Sequence, residues 1–309
     1  MSQHQALQQM RLARRQNDLQ LISRLGPLHA NLEEYYSAIP LPDGHNAEIK
    51  VIRPKETSPP SAARPLIVLF HGGGFSAGNV EYMTRPGREF AIEFGAVVVS
   101  ATYRLAPEHK FPVPMQDAWD TLVYLAGNAA QFGAEPTAGF IVGGVSAGGT
   151  MAAVVTQLAR DRNLQPPLTG SFVSIPLLLV KDIVPAQYKK MWRSMDENKN
   201  NPTLSRDTIK NIIRTLAPDV KSPLFSPFNS RTPHYGLPPT YIHVGGLDVL
   251  RDDGIIFEKA LRENGVKTKI DVYPDLGHAA WTIYSVGSSG QLGPNTMNGM
   301  KWLLNRGTI

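Results

Sequence analysis

The sequence predicts an α/β fold in which a mostly parallel central sheet is flanked by helices on both faces. Short apolar runs alternate with helical segments along most of the 309-residue chain. Strands that are apolar at nearly every position are typical of a parallel sheet that is covered on both sides. The chain has no Cys, so disulfides, thiolate metal sites and a thiol nucleophile are excluded.

The first fifty residues predict two helical segments and a strand. Leu and Met recur at helical spacing over residues 3–25, and Gly26 and Pro27 end that run. Residues 27–36 carry a weaker helical pattern. Residues 47–52 alternate between polar and apolar side chains, which predicts a strand.

From residue 65 onward the pattern becomes a regular succession of strands and helices. Strands are expected, from their short β-branched or apolar runs, at residues 65–70, 96–101, 139–144, 170–175, 240–245 and 267–273. Helices are expected between and after them, at residues 85–95, 114–128, 150–161, 253–264 and 295–305. This order predicts βα units whose functional loops meet at the carboxyl ends of the strands.

One segment interrupts this succession and suggests an inserted cap. Residues 177–239 are too long for an ordinary connection and include an amphipathic stretch at 204–216. We therefore predict a catalytic domain made of residues 45–176 and 240–309. Residues 1–44 are expected to be the N-terminal helical part of the cap, and residues 177–239 its inserted part.

Composition and charge exclude several classes of protein. The net charge of +5 comes from scattered Lys and Arg, which is not the basic stripe of a nucleic-acid-binding protein. No apolar run approaches the roughly 20 residues of a membrane span. The polar N-terminus does not resemble a secretory signal, so a cytoplasmic protein is expected.

A candidate nucleophile lies at residues 144–148, which read Gly-Val-Ser-Ala-Gly and match G-x-S-x-G. The motif falls between a predicted strand and a predicted helix. Such a turn exposes its serine, here Ser146, above the sheet in a strained conformation. The N–H group of Ala147 is left free at the start of the helix.

A serine hydroxyl needs a general base, and three histidines follow Ser146 in the chain. His243 falls inside a predicted strand, and His234 falls in the insertion. His278 follows the last predicted strand, in a loop at the catalytic end of the sheet. We therefore predict that His278 is the base.

The acid that orients the base is expected after the preceding strand. Asp248 comes directly after residues 240–245. Asp252 and Asp253 are alternatives, but they fall at the start of a helix, where an N-terminal role explains them. Asp248 is the favoured acid.

Residues 71–74 read His-Gly-Gly-Gly and follow another predicted strand. Successive glycines allow backbone N–H groups to converge on one oxygen atom. Together with the N–H of Ala147, two such donors could stabilise the oxyanion of a tetrahedral intermediate.

At this point the sequence resembles the hormone-sensitive lipase-like esterases of the α/β-hydrolase fold. The resemblance rests on four blocks in the family's order, and His278 completes it: residues 71–74, residues 103–109 (Tyr-Arg-Leu-Ala-Pro-Glu-His), residues 144–149 and residues 248–252 (Asp-Val-Leu-Arg-Asp). It covers roughly residues 45–305.

The resemblance implies a serine carboxylesterase with a helical cap over its acyl pocket. It implies the catalytic triad Ser146, Asp248 and His278, without a metal or an organic cofactor. It also implies that the oxyanion donors are the N–H groups of Gly73, Gly74 and Ala147. The block at residues 103–109 is mainly structural in the family.

Two positions depart from the family pattern. Val145 stands where Asp, Glu or Thr is common, which removes a polar contact without changing the shape of the turn. Residues 279–281 read Ala-Ala-Trp, where Gly-Phe is common after the histidine, and Trp281 is expected to fill that space.

The expected function is hydrolysis of short- to medium-chain acyl esters through an acyl-enzyme. The partner is a small-molecule ester, and the protein is expected to be a monomer or a homodimer. An acetyl or acyl esterase, or an acyltransferase, acting on a secondary metabolite is an alternative, and so is an amidase. A non-catalytic ligand-binding homologue is the alternative from another class; gibberellin receptors of this type lose the histidine that is present here.

Overall fold

A computed structural model describes residues 3–56, 63–278 and 289–308. Eight strands in these ranges form one sheet, in the order β1-β2-β4-β3-β5-β6-β7-β8. They are β1 (Leu32–Pro40), β2 (Asn46–Pro54), β3 (Leu66–Phe70), β4 (Val97–Ala101), β5 (Phe140–Val145), β6 (Gly170–Ser174), β7 (Thr240–Gly245) and β8 (Thr268–Tyr273). The strands β1 and β2 pair antiparallel with their neighbours, and all the others pair in parallel. This architecture confirms the predicted α/β class.

Helices cover both faces of the sheet. They are α1 (Gln3–Ser23), α2 (Thr84–Phe94), α3 (Val113–Asn128), α4 (Ala147–Asp161), α5 (Ser194–Glu197), α6 (Arg206–Leu216), α7 (Arg251–Glu263) and α8 (Ser289–Leu304). The side chains of α3, α4 and α7 share an apolar cluster with Val68, whereas those of α2 and α8 pack with Ile67. Because adjacent residues of a strand point to opposite faces, these two clusters are the two sides of the sheet.

The predicted helix over residues 27–36 is wrong, because β1 begins at Leu32. This strand pairs along its whole length with β2 at the edge of the sheet. Its charged residues are held by side chains of neighbouring elements: Arg53 donates to Glu33 at 2.7 Å, and Arg88 donates to Glu34. The backbone bonds to β2 override the weak local helical pattern.

Residues 177–239 lie between β6 and β7 and contain α5 and α6. Leu177–Leu179, Ile209 and Leu216 are buried in the same apolar cluster as α4 and α7. The insertion is therefore packed onto the sheet domain. Across the described parts of the chain, no helix is long and apolar enough to cross a membrane.

Candidate active site

The loops that follow β5, β7 and β8 bring Ser146, Asp248 and His278 together. His278 Nε2 lies 2.7 Å from Ser146 Oγ, and His278 Nδ1 lies 2.7 Å from Asp248 Oδ2. These distances are those of strong hydrogen bonds. The three loops meet because their strands are parallel and end at one edge of the sheet.

The serine sits on a strained turn between β5 and α4. Ser146 has φ 57° and ψ −119°, a region that non-glycine residues rarely occupy. Its N–H donates to Ser174 O at 2.9 Å, which fixes the turn against β6. A Cβ at Gly148 would lie 2.0 Å from Phe70 O, so only glycine lets α4 pass so close to β3.

The residue before the serine contributes packing instead of a polar contact. Val145 is 1% exposed and belongs to the apolar cluster of α2 and α8. This burial gives a physical reason for an apolar residue at this position. Trp281, expected to fill space beside His278, lies outside the described residues.

The glycine loop after β3 exposes backbone donors next to the serine turn. Gly73 has φ +128°, and a Cβ there would lie 2.0 Å from Ala77 O. Gly74 has φ +59° and is covered by Ile212 of α6, whose Cδ1 would lie 2.9 Å from a Cβ on Gly74. Within the described chain, the N–H groups of Gly73, Gly74 and Ala147 have no backbone acceptor. They remain available to a substrate oxygen.

The neutral imidazole ring of His71 contacts this loop. Its burial lowers the pKa of His71 to about 4. The ring contacts Gly72 O through Nδ1 at 2.8 Å and Thr102 Oγ1 through Nε2 at 3.1 Å. Tyr103 stacks on it and donates to His71 O at 3.0 Å. The first histidine of the motif therefore has structural contacts that account for it.

The block at residues 103–109 ties the glycine loop to α1. The N–H of Ala106 donates to Phe75 O at 2.9 Å. Arg11 of α1 donates to Ala106 O and Ser76 O, and it forms a salt bridge with Glu108 at 2.8 Å. These contacts agree with the structural role that the resemblance implies for this block.

Asp248 faces His278, whereas Asp252 and Asp253 bind other groups. Asp248 is 1% exposed, and its Oδ1 accepts the N–H of Leu250 at 2.9 Å, which leaves Oδ2 for His278. Asp252 and Asp253 lie in the first turn of α7, as predicted.

The carboxylates of Asp252 and Asp253 also bind the insertion. The sequence predicted only their position at the start of the helix. Asp252 accepts the N–H groups of Arg193 and Ser194. Asp253 accepts the N–H of Leu178, at 2.8 Å, and of Leu179, and it also accepts Trp192 Nε1–H. Burial raises the pKa of Asp253 to about 7, against the opposing effect of these three donors.

The other two histidines are packed away from the serine. His243 lies within β7 at 1% exposure and contacts the Tyr241 hydroxyl at 2.6 Å. His234 is 3% exposed in the insertion and packs edge-on against Phe228. Burial lowers the pKa of His243 to about 3 and that of His234 to about 4, so both rings are neutral near pH 7.

Sequence reasoning missed three residues of the insertion that hold the loops of Asp248 and His278. Thr203 Oγ1 accepts the N–H of His278 at 3.0 Å and donates to Asn201 Oδ1 at 2.7 Å. Asn201 Nδ2 donates to Leu247 O, and Asn198 Nδ2 donates to Asp248 O, both at 2.8 Å. An Asn-Pro-Thr sequence indicates a turn, but nothing local predicts its distant partners.

Residues that could bind a metal ion are not grouped. Among residues 3–56, 63–278 and 289–308, no three His, Asp or Glu side chains come close enough to hold one.

The fold and the serine turn define an ester hydrolase of the α/β-hydrolase type. A family profile described as an alpha/beta hydrolase fold matches residues 67–282. The chain belongs to this family, the hormone-sensitive lipase-like esterases, and it is a serine ester hydrolase.

Individual relatives agree with this assignment. The chain is 34% identical to an AB hydrolase superfamily protein of Schizosaccharomyces pombe, over 96% of this chain and 87% of the relative. It is 36% identical to the esterase LipI of Mycobacterium tuberculosis, over 72% of this chain and 67% of that protein. The solved structure of vibralactone cyclase is similar, with a TM-score of 0.90 and 28% identity, covering 98% of this chain and 90% of that one.

Proposed function

We propose that the protein is a carboxylesterase in which Ser146 is the nucleophile, His278 the general base and Asp248 the orienting acid. The observation that carries this proposal is the pair of 2.7 Å contacts that link the three side chains through the imidazole. A base within hydrogen-bond reach of a serine, itself oriented by a third group, is the geometry that nucleophilic catalysis requires.

In this mechanism Ser146 Oγ attacks the ester carbonyl carbon while its proton passes to His278 Nε2. The negative charge that develops on the carbonyl oxygen is held by the N–H groups of Gly73, Gly74 and Ala147. His278 then gives its proton to the departing alcohol, and an acyl-enzyme remains. Water, deprotonated by His278, hydrolyses the acyl-enzyme and releases the carboxylic acid.

We further propose that α1 and residues 177–239 form a cap that limits the acyl chain to short or medium length. The contact of Ile212 with Gly74 supports this, because an apolar side chain of α6 then borders the oxyanion position. With p-nitrophenyl esters from acetate to laurate, kcat/KM should be highest for acetate, butyrate or hexanoate. A maximum at laurate would contradict the limit.

The triad is tested by replacing Ser146 with Ala and measuring hydrolysis of p-nitrophenyl butyrate. We expect kcat to fall by at least about 10⁴-fold, whereas Ser23→Ala at the end of α1 should leave it unchanged. A fluorophosphonate should label the wild-type protein at Ser146 alone. Residual turnover above a few per cent in Ser146→Ala, or labelling of another serine, would refute the assignment.

Acyl transfer to an alcohol is a second candidate, supported by the similarity to the solved structure of vibralactone cyclase. The same acyl-enzyme would be attacked by a hydroxyl group instead of water, with His278 accepting its proton. Incubation of p-nitrophenyl butyrate with 1-butanol distinguishes the two. Butyl butyrate as the main product indicates transfer, and butyrate as the main product indicates hydrolysis.

A further inference from the structure

A cavity of about 810 Å³ lies within the insertion. It is bounded by residues that follow β6, by residues around α5 and by one side of α6. None of Ser146, Asp248 and His278 lines it. Its volume falls in the range of about 300–1,000 Å³ that is usual for small-molecule sites.

The interior of this cap cavity is apolar. Val184, Met195 and Ile209 are each less than 10% exposed, and Trp192 and Ile213 are partly buried. A hydrocarbon chain placed against these side chains would gain about 25 cal/mol for every Å² of apolar surface removed from water. The cavity is therefore suited to an aliphatic tail.

The rim of the cap cavity is strongly basic. Five cationic side chains line it: Lys181, Lys189, Arg206, Lys210 and Arg214. Arg206 is paired with Asp196, which is also in the lining, and Lys210 is paired with Asp207. Lys181 and Lys189 form no ion pair with any described residue. The surplus of positive charge favours a negatively charged group at the mouth.

The residues of α6 that line the cap cavity form one stripe of the helix. Arg206, Lys210 and Arg214 recur every four residues, beside Ile209 and Ile213. Successive residues of a helix are about 100° apart, so Arg206, Lys210 and Arg214 lie about 120–160° around the axis from Ile212, whose side chain lies against Gly74. The cationic residues and the oxyanion loop thus lie on different sides of α6, and Ile209 lies between them.

We propose that the cap cavity binds a single-chain amphipathic anion, such as a medium- or long-chain carboxylate. The tail lies against Trp192, Met195 and Ile209, and the head group is held by Lys181 and Lys189. The volume of the cavity and its buried apolar lining favour one inserted molecule over a flat lipid surface.

The test uses Ser146→Ala protein, so that binding is measured without turnover and independently of the proposed catalysis. Tryptophan fluorescence is titrated with decanoate, 1-decanol and decyltrimethylammonium below their micellar concentrations. Decanoate should bind at least tenfold more tightly than the other two. Trp192→Phe should remove most of the signal while calorimetry still detects binding.

Charge variants test whether the basic rim of the cap cavity accounts for decanoate binding. The double substitution Lys181→Glu and Lys189→Glu should weaken decanoate binding at least tenfold. The matched control, Lys55→Glu with Lys301→Glu, changes the total charge equally and should leave it unaltered. Equal affinity for decanoate and 1-decanol, an unchanged affinity in the rim variant, or binding only to phosphatidylglycerol vesicles would each overturn the proposal.

Discussion

Replacing Thr203 by Val should lower kcat by about two- to thirteenfold and leave KM unchanged. The hydroxyl of Thr203 accepts the N–H of His278 at 3.0 Å, and Val has the same shape without that oxygen. Loss of a neutral hydrogen bond costs about 0.5–1.5 kcal/mol, and each 1.36 kcal/mol corresponds to about tenfold in rate. Because Thr203 acts through His278 and is a positioning residue, the loss should appear in kcat.

Initial rates of p-nitrophenyl butyrate hydrolysis measure this effect. Thr203→Ser keeps the hydroxyl and should restore most of the activity. Thr137→Val is the matched control, because it removes a threonine hydroxyl bonded to Glu135 at the opposite end of β5. The reasoning is refuted if Thr203→Val retains wild-type kcat, if Ser does not rescue it, or if the control loses as much.

Three further predictions follow from the site and its supports. Asp248→Asn should lower kcat by about 10⁴-fold in ester hydrolysis, while the thermal midpoint shifts by only a few degrees; near-normal turnover contradicts its role. Gly148→Ala places a Cβ 2.0 Å from Phe70 O and should destabilise the fold by about 3 kcal/mol or more, as urea unfolding would measure; unchanged stability contradicts this. Burial raises the pKa of Asp253 to about 7 from 3.8, so its contribution to stability is complete below about pH 4 and is lost as pH rises through 7. Urea unfolding between pH 5 and 8 should show this decline in the wild type and a flatter profile in Asp253→Asn; identical profiles contradict it.

The sheet could be predicted from the sequence wherever a strand is buried on both faces, because such a strand is apolar at nearly every position. Strands β3, β4 and β5 are buried at every position, so they appear as short apolar runs. Strand β1 has partners on one side only and carries Glu33 and Glu34. Its ion pairs with Arg53 and Arg88 depend on tertiary contacts, and its sequence therefore resembled a weak helix.

Helix ends were predicted less well than helix positions. The helix α4 begins at Ala147 instead of residue 150, because it starts directly after the nucleophile turn. The helix α8 begins at Ser289 and contains Pro294, whereas a proline normally suggests a helix start. Local signals cannot show that a helix continues past such a residue.

The candidate site could be predicted because its residues follow strands in a fixed order. Ser146, Asp248 and His278 each occupy the first loop after a parallel strand, and topology alone brings such loops together. The residues that hold these loops and the insertion in place could not be predicted in this way. Thr203 lies 75 residues from His278 in the chain, and the backbone donors bound by Asp253 are 74 and 75 residues away.

The anchoring of the insertion has a consequence for protein engineering. The segment between β6 and β7 is attached through Asp252 and Asp253, and it carries the hydroxyl that holds the backbone of His278. A chimera that imports this segment from a relative to change selectivity would also exchange contacts that hold the backbone of His278. Transplants that preserve Thr203 and its Asn201 partner should therefore retain more of the parental rate than transplants chosen by pocket shape alone.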